Sequence, residues 1–294
     1  MSSPIVVVSP VIGWEEKQLL RAATELGIAA THVSPEAVQS YLLPGEARVQ
    51  PSALVPGATV LMRCPSYFAS IEVAAALERH GLRTYNSSAQ LTLFGRKTLT
   101  DAWLFGHRMP QVPSCIAFSA AGLDDIVQAL GLPLVVKPSV GGFGRRVHLV
   151  PSAAALRQIW DYLEDFAPAY HQQLYVQRAL DVAHDVRVNV LEGRVLASNE
   201  RVNDASFAKN IAQGGSGRPF DLAGRAKEIA DELCRLLPRG FFGIDLLVDT
   251  KGAVFVCEVN ASCSFREATK VSGKDIALEV VRAAAGAVGA EASP

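Results

Sequence analysis

A chain of 294 residues, 49% hydrophobic and 19% charged, is long enough for a sizeable core shared among two or three compact units, and it has no run of about 18 apolar residues that would cross a membrane. A formal net charge of −1 removes bulk attraction as a reason to expect a nucleic-acid partner, so any anionic ligand has to be held by a specific site. The five cysteines, Cys64, Cys115, Cys234, Cys257 and Cys263, are scattered with no C-x-x-C pair, and the opening stretch lacks the basic region of a signal peptide; a reducing, cytoplasmic setting with no membrane partner is the expectation.

Ile5 to Val8 is a short β-branched run of the kind found in buried parallel strands. Trp14 to Leu26 carries Leu19, Leu20, Ala23 and Leu26 at helical spacing and stops at Gly27. Strands are expected at Ile28 to Val33, Thr59 to Arg63 and Leu82 to Tyr85, with a helix at Ile71 to His80. This alternation predicts a small α/β domain over residues 1–90. It has no G-x-G-x-x-G turn, so the fold assigns it no function. After Leu91 the pattern changes. Phe94 to Thr98 opens a helix running to about Leu104, Ile116 to Phe118 is a strand, and Leu123 to Leu130 is a helix closed by Gly131. Leu134 to Lys137 is a buried strand, Val147 to Val150 another, Ala154 to Phe166 an amphipathic helix and Leu174 to Gln177 a strand. An Ala/Gly-rich tail from Ala283 is expected to fray.

Three stretches carry chemistry. Between the strands ending at Lys137 and starting at Val147 lies Ser139-Val-Gly-Gly-Phe-Gly-Arg-Arg; Gly141, Gly142 and Gly144 let backbone N–H groups turn inward as a phosphate cradle, and Lys137 can place a charge on a phosphate oxygen. It is not a Walker A loop, because no Gly-Lys-Ser/Thr follows; a flexible turn with a surface lysine fits the same residues. Next, His184 to Leu191 and Arg194 to Arg201 form a hairpin about Glu192-Gly193. Parity puts Asp185, Arg187 and Asn189 on one face and Val186, Val188 and Val190 on the core face, with Arg201 near Asp185 across the pair; the polar face is either a binding floor or a solvated surface. Last, Gly243 to Asp249 and Ala253 to Asn260 form a second hairpin about Lys251-Gly252. Even-numbered Val256, Glu258 and Asn260 are expected on one face, with Asp245 opposite their end. Three hard oxygen donors then converge, which favours Mg²⁺ or Mn²⁺ over zinc, unless the polar end merely meets water.

Taken in order, Lys97, the strand to Lys137 with its glycine loop, Asp185-x-Arg187, Asn210 to Gly215 and Asp245…Glu258-x-Asn260 resemble the ATP-grasp superfamily, and within it the RimK-like amino-acid ligases. The resemblance covers about Leu91 to Ala284. It implies an α/β fold of the α+β ATP-grasp kind, with the small α/β domain followed by a central lobe at 91–176 and a C-terminal lobe at 177–285 enclosing the nucleotide. It further implies that Lys97 and Lys137 contact ATP phosphates, that Ser139 to Gly144, including Gly141, Gly142 and Gly144, form the lid, and that the linker Gln177, Arg178, Ala179 and Leu180 holds adenine. Asp185 would lie near the ribose beside Arg187; Arg201 and Asn210, with Lys137, would serve the phosphoryl group; Asp245, Glu258 and Asn260 would hold two Mg²⁺ ions. Two departures stand out: Gln177-Arg178 where relatives often have Gln-Glu, and Gln213 where they have arginine.

The segment Asn260-Ala-Ser-Cys-Ser-Phe-Arg lacks the Ser-Pro-Gly common in ribosomal-protein glutamate ligases. Its Ser262, Ser264, Phe265 and Arg266 are the substrate candidates, and they look more like the LysX ligases, which join an amino acid to the C-terminal glutamate of a small acidic amino-group carrier protein. Cys263 has no suggestively spaced histidine beside it, which argues against a thiol nucleophile. The expectation is carboxylate activation through an acylphosphate, with an amino-acid substrate, a small acidic carrier protein as partner and assembly as a dimer or tetramer. Two alternatives stay open: a RimK-like ligase acting on a small molecule, cofactor or protein C-terminus, and a nucleotide-binding module without turnover.

Overall fold

The computed structural model describes residues 3–141, 146–167, 173–202 and 216–286. The N-terminal part builds β1 (Ile5–Val8), α1 (Trp14–Glu25), β2 (Ala30–Val33), a hairpin of β3 (Gln39–Leu43) and β4 (Glu46–Gln50), β5 (Thr59–Met62), α2 (Tyr67–Arg79) and β6 (Arg83–Tyr85). β1, β2, β5 and β6 form one parallel sheet in the order β2-β1-β5-β6. All four residues of β1 are buried, as a central strand covered on both faces requires. The chain enters α1 at Gly13, whose N–H is accepted by Glu16 Oε2 at 2.9 Å, and Ser66 caps α2 a turn before the predicted start. The β3–β4 hairpin, exposed along most of its length, was not expected.

The middle of the chain forms α3 (Ser88–Phe94), α4 (Lys97–Gly106), β7 (Ser114–Ala117), α5 (Leu123–Leu130), β8 (Leu134–Lys137), β9 (His148–Val150), α6 (Ala153–Phe166) and β10 (Leu174–Arg178). Its strands make an antiparallel sheet ordered β7-β10-β8-β9. Leu123, Ile126 and Leu130 of α5 and Leu156 and Trp160 of α6 close one face over Leu134, Val136, Leu174 and Val176. The sheet's Tyr175, facing Lys137 in register, belongs to its other face.

The last part comprises β11 (Val182–Leu191), β12 (Arg194–Val202), β13 (Ser216–Pro219), α7 (Gly224–Leu236), β14 (Phe241–Asp249), β15 (Val254–Asn260), α8 (Arg266–Ser272) and α9 (Ile276–Gly286). Five strands order as β13-β12-β11-β14-β15, antiparallel throughout. Glu192 and Gly193 both take positive φ, the geometry that turns β11 tightly into β12. Val186, Val188, Val190, Phe242, Ile244 and Leu246 fill one face against Ile229 and Leu233 of α7. Full burial of a side chain such as Phe242 contributes roughly 1.5–3 kcal/mol.

Ala283 to Gly286 do not fray: they complete α9, whose Ala284 is fully buried against the first sheet and accepts from Thr59 Oγ1 at 3.4 Å. Small residues there permit close packing on Ala22 and Ala23 of α1, so this part of the expected loose tail serves helix contact instead; residues 287–294 lie outside the described residues. Asn86, after β6, ties the first sheet to the last. Its amide donates to Phe241 O at 2.6 Å and Ala261 O at 2.7 Å and accepts from Phe241 N at 2.8 Å. No helix among the described residues is long and apolar enough to cross a membrane. The fold is mixed α/β, built from one parallel and two principal antiparallel sheets.

Candidate active site

A cavity of about 780 Å³ lies between the faces of the two antiparallel sheets that bear polar residues, and reaches the end of β5 at Cys64. Lys97 opens α4, where the bridge between Arg96 and Val140 and the bond from Lys97 N to Ser139 O at 2.9 Å hold the helix start against the glycine loop. Its ammonium donates to Gly141 O at 2.8 Å and pairs with Glu258 Oε1 at 3.0 Å. Lys137 ends β8 with Nζ 3.6 Å from Cys257 Sγ. Burial works against its charge, but the surrounding Cys257, Glu258 and Asp101 outweigh that cost, so the lysine stays protonated through neutral pH.

The β14–β15 hairpin departs from simple alternation. Asp245 lies directly opposite Glu258, and Gly243 opposite Asn260, but Leu246 faces Val256, so Cys257 is an extra residue in β15. This bulge puts Cys257 and Glu258 together on the cavity wall and leaves Val256 in the core at 1% exposure, which corrects the expectation that Val256, Glu258 and Asn260 share a face. Beside this hairpin sits a buried ionic network. Arg187, opposite Asp245 across β11–β14, donates to both its carboxylate oxygens, one of them at 3.1 Å. Arg201 reaches Asp245 Oδ2 at 3.1 Å and donates twice to Asp185 Oδ1, at 2.5 and 3.0 Å. Burial raises the Asp185 carboxyl above the ordinary carboxylate range against the pull of Arg201. At Asp245 burial pushes the same way, but Arg187 and Arg201 together override it and hold the group low, hence ionised at neutral pH.

The donor set Asp245, Glu258 and Asn260 offers two carboxylates and an amide oxygen, all hard ligands that fit Mg²⁺. Among the described residues no three His, Cys, Asp or Glu converge, so Asn260 completes the set, and its buried amide nitrogen has no hydrogen-bond partner.

Most of the expected site residues meet at this cavity: Lys97, Lys137, Gly141, Gln177, Arg178, Leu180, Asp185, Arg187, Arg201, Asp245, Glu258, Asn260, Ser262, Ser264 and Arg266 all line it. Three do not. Ser139 is buried, accepting from Gln173 Nε2 at 3.0 Å. Ala179 is tied back through its N–H to Pro133 O at 3.1 Å. Phe265, at 1% exposure, packs between Trp14 and Phe241, with both ring centroids 6.0 Å away. Gly142, Gly144, Asn210 and Gln213 lie outside the described residues.

Several contributors were not singled out in the sequence. Gln177 Nε2 donates to Tyr175 OH at 2.6 Å, and that hydroxyl donates to Asp101 at 2.7 Å, so Tyr175 and Asp101 fix the Gln177 side chain. From the N-terminal part of the chain, Glu15 Oε1 accepts from Ser264 Oγ and Phe265 N, both at 2.6 Å, and from Arg266 N at 3.1 Å; Arg63 pairs with Glu15 and donates to Cys263 O at 2.8 Å. A period-two pattern carries no signal for partners some 250 residues apart in the chain. Cys263 itself is 2% exposed, and burial, only partly countered by Arg187 and Arg63, pushes its thiol up to about 11. Below that value the thiol is protonated, so roughly one molecule in 10³ carries thiolate at pH 8. Iodoacetamide at pH 8 is therefore expected to leave Cys263 unmodified in the folded protein, as read by peptide mass spectrometry; rapid labelling there would mean a reactive thiol after all.

Comparison with known proteins gives a consistent picture. The profile of the RimK-like ATP-grasp domain matches residues 95–284. The α-aminoadipate–LysW ligase LysX of Sulfolobus acidocaldarius is 23% identical over 264 residues, which are 90% of this chain and 94% of that one. Beta-citrylglutamate synthase B of Danio rerio is 32% identical over 214 residues, 70% of this chain, and the match spans about half (51%) of that protein's length. Among solved structures, a RimK-domain ATP-grasp protein of Sphaerobacter thermophilus superposes with a TM-score of 0.75 at 18% identity over 95% of this chain and 98% of that one. The ATP-grasp ligase PsnB in complex with a minimal precursor gives 0.73 at 19% identity over 97% and 99%.

Proposed function

The chain belongs to the RimK-like ATP-grasp family, and from that premise we propose that it is an ATP-dependent carboxylate–amine ligase that joins an amino acid to the C-terminal glutamate of a small acidic carrier protein. The observation that carries the ligase reading is the placement of Lys97, Lys137, Asp245, Glu258 and Asn260 around one cavity. Lys97 and Lys137 hold the phosphates of ATP. A phosphate would offer Lys97 another anion in place of Glu258, now paired with it at 3.0 Å, and Glu258 with Asp245 and Asn260 would hold Mg²⁺. Bound Mg²⁺ supplies neutralisation of phosphate charge. Arg201, already fixed by two carboxylates, stabilises negative charge as the substrate carboxylate attacks the γ-phosphorus and ADP leaves. Closure over the cavity keeps water from the acylphosphate until the amine displaces phosphate.

Two features support the carrier-protein acceptor. The match to LysX runs along nearly its whole length, and Ser262, Ser264 and Arg266 line the cavity beside the Mg²⁺ donors, in a segment without Ser-Pro-Gly. A small-molecule acceptor is the second reading, favoured by the higher identity to beta-citrylglutamate synthase B. The completeness of the donor set argues against a module without turnover. A cytoplasmic setting and self-assembly into a dimer or tetramer belong to the same reading. The test is ADP release over a panel of amino acids, with and without a small acidic protein ending in glutamate. Release that requires both an amino acid and the protein is expected. Release with an amino acid and a small carboxylate alone favours the second reading, and no release under any combination defeats the ligase assignment.

A further inference from the structure

Among the described acids that line the cavity, three are held by cations at 3.1 Å or closer. Asp245 is held by Arg187 and Arg201, Asp185 by Arg201, and Glu258 by Lys97. Glu267, in the first turn of α8, also lines the cavity, yet its Oε2 is buried with no hydrogen-bond partner; its nearest cation is the exposed Lys270, at 3.9 Å. Next to it stands Asn199 of β12, 1% exposed, with neither its amide oxygen nor its nitrogen bonded. The two come together over Gly217. A Cβ on that glycine would sit 3.2 Å from Glu267 Oε2 and 3.4 Å from Asn199 Nδ2, so the absence of a side chain there keeps the space between them open. Asn199 shares its strand face with Arg201 and lies opposite Arg187, so this pair extends the same polar floor.

Buried polar atoms without partners are rare in folded proteins, and three on two neighbouring side chains that line one cavity mark a place where a ligand completes the bonding. We propose that Asn199 and Glu267 form the subsite for the ammonium group of the amino-acid substrate, an inference that rests on the ligase reading above. The carboxylate supplies a negative charge whose nearest cation is 3.9 Å away, and a primary ammonium supplies a close one with three donors. The Asn199 amide adds an acceptor for the same group or, turned over, a donor for the substrate's carboxylate. Arg266, one residue before Glu267 and also on the cavity wall, is a second candidate for that carboxylate.

Calorimetric titration of the full chain with MgADP present tests the subsite directly, using L-aspartate, L-glutamate and L-2-aminoadipate beside their desamino counterparts succinate, glutarate and adipate. For at least one pair the unsubstituted protein is expected to prefer the amino acid by about 10-fold or more, and Glu267→Gln to reduce that preference below about 3-fold. Asn199→Leu is expected to weaken the preference as well while melting no lower than the unsubstituted protein, because it removes unpaired buried groups; a merely structural asparagine would lower the melting temperature and leave the preference intact. A preference retained in Glu267→Gln, or absent from all three pairs in the unsubstituted protein, overturns the proposal. The ADP-release assay of the preceding subsection, run with MgATP and the small acidic protein, reports on the ligase reading by itself: release with no amine preference in the titration sinks only the subsite, and an amine preference without release under any combination sinks only the ligase reading.

Discussion

Replacing Glu258 with alanine is expected to lower substrate-dependent ADP release by about 10³-fold or more while the chain stays folded. Glu258 faces Asp245 across β14–β15 and is the one acid of the Mg²⁺ set not already fixed between two guanidinium groups. Its side chain is 23% exposed and its partner Lys97 keeps the bond to Gly141 O, so the lost ion pair contributes only about 1 kcal/mol or less to stability. Catalysis has no such reserve: without Glu258 the Mg²⁺ set falls to one carboxylate and one amide. Glu258→Gln separates charge from shape. It keeps a hydrogen-bond acceptor for Lys97 but not the anionic ligand, and the same loss of activity is expected. Normal turnover of either variant at ordinary Mg²⁺ concentration, measured by coupled ADP detection, would remove Glu258 from the metal site.

What could be read beforehand follows the range of the physical signal. Short-range periodicity found the hairpins, because Val186, Val188 and Val190 alternate with Asp185, Arg187 and Asn189 over an uninterrupted stretch and the core face is fully buried. It placed α5 at Leu123–Leu130, ending at a glycine with φ of 74°. The same rule failed in β15, where one inserted residue, Cys257, shifts the phase; no sequence feature marks that bulge, which shows itself only through pairing with β14. The β3–β4 hairpin was missed although Pro44-Gly45 is a turn signal, because its strands bury too little for a hydrophobic pattern to form. The candidate site was legible where its residues sit at fixed spacing within a motif and illegible where it depends on distant segments. Glu15, Arg63 and Asn86 reach it from the N-terminal part of the chain, and Asn199 meets Glu267 only because α8 folds back over β12 and β13. Phe265 shows the complementary error: its position beside Arg266 suggested substrate contact, but the large apolar ring is better accommodated between Trp14 and Phe241, where it anchors the segment that presents Ser264 and Arg266.

Arg201→Met is the substitution expected to cost most in stability, about 3–5 kcal/mol, read as a shift in the denaturant midpoint. Arg201 is 7% exposed and bonds Asp185 twice and Asp245 once; its removal strips Asp185 of its hydrogen-bonding cation and leaves Asp245 with Arg187 alone. The deficit should depend on pH with a definite sign. The Asp185 carboxyl is already raised in the folded protein, and without Arg201 it rises further, so the folded state binds more protons than the unfolded state over a wider span, and stability falls as pH climbs through that span. Asp245 is held low, so its contribution is present above the ordinary carboxylate range and is lost as pH falls; without Arg201 there is less of it to lose. The Asp185 effect makes the variant's deficit largest at neutral pH and smaller near pH 4.5, and the Asp245 effect shrinks it further only below the ordinary aspartate value of about 4. Equal deficits at the two pH values, or one below about 1 kcal/mol at pH 7.5, would mean that the network does not bear on stability as its geometry implies. Arg201→Lys divides the two duties of the residue. A lysine restores charge beside the acids and part of the stability, but it cannot donate in a fixed fork to Asp185 and Asp245 at once while facing the cavity, so ADP release should remain depressed by about 10²-fold or more even where the midpoint recovers.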